Sequence, residues 1–121
     1  MRITLLALCS GTVLALGSGA ASAQQQFNGS WSVEVIPQSG SCQRTYRFPV
    51  VIRDGQVRYG GTDGISASGT VTSRGDIQGS IGAGSVQANV MGRLSGRSGS
   101  GTWVGAGGFS CSGQWRASRT A

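Results

Sequence analysis

The chain contains no histidine, and its only acidic residues are Glu34, Asp54, Asp63 and Asp76. Ser-His-Asp and Cys-His nucleophiles therefore lack the base that activates them, and both arrangements are excluded. Retaining hydrolysis of a glycoside needs two carboxyls about 5–5.5 Å apart. Asp54 and Asp76 fall in expected turns and Glu34 on the polar face of an expected strand, so such a pair would arise only by coincidence. A metal ion would have to draw on the same few acids, because Cys42 and Cys111 are expected to be oxidised to each other. No phosphate-loop pattern is present. The chain is read as non-catalytic, with no cofactor and no metal.

What remains are side chains suited to binding. Trp31, Trp103 and Trp115 end the segments "NGSW", "SGTW" and "SGQW". In a strand, a residue and the one two positions later face the same side, so each indole is expected to have a glycine beside it. The first reading is that these aromatics fill the interior of a small β-domain. The alternative is a stacking platform for a sugar or another flat ligand. All 10 basic residues are arginine. Arg47, Arg53 and Arg58 fall on the outward face of one expected hairpin, where a solvated charged face is the first reading. The alternative is a docking surface for an anionic partner, either an envelope polymer such as lipopolysaccharide or an acidic polysaccharide, or an exported acidic protein. Nucleic acid is not expected, because no aromatic row interleaves with these arginines as in single-strand binders.

Arg74-Gly75-Asp76 matches the tripeptide that integrins read. It lies between Val71 and Ile77, where two strands must be joined, and glycine supplies the backbone freedom a tight turn needs. It is read as a turn.

The amino terminus explains the compartment. Arg2 precedes an apolar run from Ile3 to about Leu16, and Ala21-Ser22-Ala23 fits the small-x-small site of signal peptidase. Residues 1–23 are therefore predicted to be a cleaved signal peptide, and residues 24–121 a single β-barrel domain. The apolar run falls short of the roughly 20 residues of a spanning helix, so no transmembrane anchor is expected. A lipoprotein reading through Cys9 is disfavoured, because Leu8 stands where a small residue is wanted. Cleavage removes Arg2 and takes the net charge from +6 to +5. An exported chain, in periplasm or medium, meets oxidising conditions, and Cys42–Cys111 is the expected disulfide.

The elements that would hold these residues are strands. Glycine (22) far outnumbers proline (2), and the stretches between turn signals alternate apolar with polar. Trp31, Val33 and Val35 share one face, as do Tyr46, Phe48, Val50 and Ile52. Ile65, Ala67, Gly69 and Val71 form a further such face, and Val86, Ala88 and Val90 another. Asp54-Gly55 is a favoured two-residue hairpin loop and predicts that Ile52 faces Val57 and Val50 faces Tyr59. The Gly/Ser-rich later segments are read as short strands with small inward residues. The fold class is all-β, an antiparallel meander of about 8 strands closing into a small barrel, with a two-sheet β-sandwich as the alternative. In a closed meander Cys111 opens the last strand beside the end of the first, so the disulfide would staple the seam.

An opening Gly-x-Trp strand, followed by a Gly-rich meander with later Gly-x-Trp segments, resembles the avidin-type barrels. It is also similar to the small periplasmic metalloprotease inhibitors of Gram-negative bacteria, which begin with a comparable strand and carry one disulfide. The chain as a whole resembles small secreted bacterial all-β proteins. The reading that follows is an exported, non-catalytic binding module. One alternative is an inhibitor of an exported protease, using the "QQQFN" segment. A second is a structural or adhesive envelope protein.

Overall fold

The computed structural model describes residues 25–42, 44–107 and 110–121. The predicted signal peptide, with Cys9, lies outside the described residues. Eight strands follow in order: β1 Gly29–Gly40, β2 Tyr46–Arg53, β3 Gln56–Tyr59, β4 Ile65–Val71, β5 Asp76–Ala83, β6 Val86–Ser95, β7 Ser98–Ala106 and β8 Cys111–Arg119. Each pairs antiparallel with the next, and β8 returns to pair with β1, giving a closed barrel. The barrel expectation holds and the sandwich alternative does not. Among the described residues no whole strand is left at an open edge, although 36–40 of β1 and 65–67 of β4 are paired on one side only.

The β2–β3 hairpin shows how local chemistry sets the register. Asp54 and Gly55 both take positive φ, 52° and 80°, as a type I′ turn requires. Val50 then pairs with Tyr59, Ile52 with Val57 and Arg53 with Gln56, as the turn and the alternation predict. The turn is also tied to its surroundings. The Asp54 N–H donates to the Asn28 side-chain oxygen at 2.7 Å, and the Val71 N–H donates to the Gly55 carbonyl at 2.9 Å. A side chain at Gly55 would sit in left-handed backbone, so Gly55→Ala is expected to cost about 1–2 kcal/mol in chemical denaturation.

The two ends of the barrel differ. One end carries the turns at 54–55, 72–75 and 96–97, together with both described termini. Phe27, Trp31, Ile52, Val71 and Leu94, all buried, close it. The other end carries the longer connections 41–45, 60–64 and 107–110, with the turn at 84–85. Cys42 and Cys111 are bonded there, with Cα atoms 6.0 Å apart. Cys111 pairs with Gly40 across the β1–β8 seam, so the bridge staples the join as expected.

Trp115 finds its room beside glycines of neighbouring strands, which the spacing along its own strand does not point to. Trp115 on β8 pairs with Gly101 on β7, and Gly101 pairs in turn with Gly92 on β6. A Cβ at Gly92 or Gly101 would lie 2.5 or 2.6 Å from the Trp115 indole. The ring therefore lies flat across two bare stretches of backbone. Pairing across the sheet, which sequence distance hides, decides which glycine meets which ring.

Candidate ligand-binding cavity

The inward faces do not fill the barrel. Trp103 and Trp115 occupy the β7–β8 side, whereas β4 and β5 present Ala67, Gly69 and Gly79 to the interior. Large rings on one wall and missing side chains on the other leave a cavity of about 420 Å³. Trp31, Ile52 and Leu94 line its floor, and Val33, Val35, Ile65 and Ile81 its sides. Pro37, Cys42, Arg44, Tyr46, Ala83 and Val86 border it at the disulfide end. Tyr46 and Val86 are 55% and 42% exposed there, so that end is the mouth.

The cavity wall offers almost no hydrogen-bonding side chain. Ser68, Gln78 and Ser80 border it, but their inward-facing neighbours are Ala67, Gly69, Gly79 and Ile81, so alternation turns their side chains outward. Among the described residues no polar or charged side chain is buried. The indole N–H groups are already engaged. Trp31 donates to the Phe27 carbonyl at 2.9 Å, Trp103 to the Gln114 carbonyl at 3.1 Å and Trp115 to the Met91 carbonyl at 2.9 Å. A polar atom carried inside would lose its water partners and gain nothing in return. The three tryptophans are thus buried core residues and also border the cavity.

The arginines lie outside. Arg47, Arg53 and Arg58 are all exposed on the outer face of β2 and β3, as alternation implies. They do not converge. Arg47 and Arg53 are separated by roughly 20 Å of strand. Arg47 pairs with Glu34 at 3.2 Å, and the same carboxylate takes Arg116 at 3.4 Å, forming a ladder across β2, β1 and β8. Arg58 donates to its neighbour's carbonyl, that of Val57. Exposed pairs of this kind contribute about 0–1 kcal/mol each. Charged groups in the middle of strands are also the reverse of the apolar belt that faces lipid in a membrane-spanning barrel. Among the described residues no helix is long and apolar enough to cross a membrane.

The acids are scattered. Asp54 is in its turn, and Glu34 is held by the two arginines. Asp76 pairs with Arg93 at 3.4 Å and lies 3.9 Å from Arg74. The Arg74-Gly75-Asp76 segment is the β4–β5 turn, with Gly75 at φ 94° and its N–H donating to the Thr72 carbonyl. Asp63 accepts a hydrogen bond from the Tyr59 hydroxyl, which holds that phenol above its ordinary pKa. Burial and the nearby carboxylate charge add to the effect. Among the described residues no three potential metal ligands gather.

Of the "QQQFN" segment, Gln24 lies outside the described residues and the remainder is built into the closed end. Phe27 is buried against Trp31, with ring centroids 6.5 Å apart, and the Gln26 carbonyl accepts from Arg119 at 2.7 Å. Sequence reasoning did not single out Arg44 or the small residues on β4 and β5, although Ala67 and Gly69 were placed on the inward face. No protein-family model matches the chain, and no curated protein or solved structure matches it.

Proposed function

We propose that the protein is a non-catalytic, exported module that binds a small apolar ligand inside its barrel. The observation that carries this reading is the apolar cavity of about 420 Å³, which reaches from the disulfide end down to Trp31. Ligand pockets typically measure about 300–1,000 Å³, with mostly apolar walls. Eight strands also enclose about the width that holds one small ligand. Export rests on the leader pattern of residues 1–23 and agrees with a disulfide, which persists in oxidising compartments. The absence of histidine and the dispersal of the acids support a role without catalysis.

Filling the cavity tests this. Ala67 faces the void from β4, and Ala67→Phe places a ring in it. The variant is expected to bind apolar probes at least about tenfold more weakly, a loss of about 1.4 kcal/mol. Its melting temperature should hold or rise, because an empty space is filled. Quenching or shift of tryptophan fluorescence on titration reads the binding directly, since all three indoles border the cavity. Unchanged affinity in Ala67→Phe would place the ligand elsewhere.

A further inference from the structure

Resting on that reading, we propose that the occupant is an unbranched alkyl chain with a single carboxylate head, the head at Arg44 and the chain running down to Trp31 and Leu94. The cavity's shape is the first support. Along β1 its lining runs from Pro37 at the mouth to Trp31 at the floor. Residues 31 to 37 span about 20 Å of strand, which a tilt of about 40° reduces to roughly 15 Å along the barrel axis. A hydrocarbon chain lying along the axis follows that depth from mouth to floor. A zigzag of about 1.5 Å bonds advances about 1.25 Å per carbon, so the depth takes a chain of about 12 carbons.

The chemistry of the wall is the second support. With the indole N–H groups engaged and no inward polar side chain along the shaft, the buried part of a ligand must be hydrocarbon throughout. Polarity is tolerated only at the end that remains at the mouth. Among the described residues Arg44 is the single charged one that borders the cavity, and no carboxylate among them pairs with it. A guanidinium presents parallel donors that match the two oxygens of a carboxylate. Exposed Tyr46 and Val86, also at the mouth, offer apolar contact to the first carbons as they enter.

The test titrates residues 24–121 with octanoate, decanoate and dodecanoate, and with dodecyltrimethylammonium as the same chain under the opposite charge. Naphthalene serves as a compact flat probe. Affinity is expected to rise about fourfold per added methylene up to dodecanoate, as hydrocarbon burial predicts. Dodecyltrimethylammonium should bind at least about tenfold more weakly than dodecanoate. Arg44→Glu should invert that preference without altering the circular dichroism of the barrel. If both head groups bind alike and Arg44→Glu changes neither, the head assignment is overturned. If naphthalene binds in a manner lost in Ala67→Phe while dodecanoate does not bind, the chain proposal fails and the cavity remains a ligand site. If no probe shows binding that Ala67→Phe removes, the cavity reading fails and the proposal falls with it.

Discussion

Replacing Cys42 and Cys111 together with serine is expected to lower the stability of the barrel by about 4 kcal/mol. The bridge closes a loop with a sequence separation of 69, most of the domain, so its removal returns a large amount of freedom to the unfolded chain. It also acts where the fold has most to lose. β1 and β8 are the strands most distant in sequence, and their pairing from Trp31↔Arg119 to Gly40↔Cys111 closes the barrel. For a domain of this size each kcal/mol shifts the melting temperature by about 4–8 °C. The double variant should therefore melt roughly 15–30 °C below the parent. Urea unfolding of both proteins, with the parent kept oxidised, measures the difference. A loss under about 1 kcal/mol would mean that the hydrogen-bond ladder and the tryptophans hold the seam unaided.

Trp31→Ala is expected to cost about 3–5 kcal/mol, the range for deleting a large buried aromatic. Trp31 is 1% exposed and joins three features of the closed end. Its ring meets Phe27, its N–H holds the Phe27 carbonyl, and the Arg119 guanidinium lies over its face 5.1 Å from the centroid. Truncation would leave a cavity, strand the Phe27 carbonyl and remove the surface on which Arg119 rests. Trp31→Phe separates these effects, because it keeps most of the apolar contact while losing the hydrogen bond, worth about 1 kcal/mol. Denaturant midpoints should rank parent, Trp31→Phe and Trp31→Ala in falling order. Equal losses in the two variants would assign the whole effect to the single bond.

Much of the architecture was legible because a strand has a period of two and Asp54-Gly55 admits few geometries. Those local rules placed Val50, Ile52 and Val57 inside and set their register. Counting strands from there put Cys111 beside the end of β1. The cavity was harder to read, because it depends on which wall faces which. Ala67, Gly69 and Gly79 create space only because β4 and β5 lie across the barrel from the indoles of β7 and β8. The same holds for Gly92 and Gly101, whose meeting with Trp115 is set by cross-strand pairing. Arg44 sits in a connection rather than a strand, where alternation says nothing about direction. The outer arginines were assigned the correct face, but the Glu34 ladder that engages Arg47 joins β2 to β8 across β1 and left no mark in the spacing.

The pairing of the first strand with the last also constrains how the molecule is made. During synthesis β1 emerges early, yet half of its backbone donors and acceptors find partners only when β8 arrives at the very end. Until then the chain carries a raw β edge that a second copy can zip onto. Such late, long-range closure is inherently slow. A chain truncated before Cys111 would lack those partners, so the carboxy-terminal strand is also what covers the edge of β1.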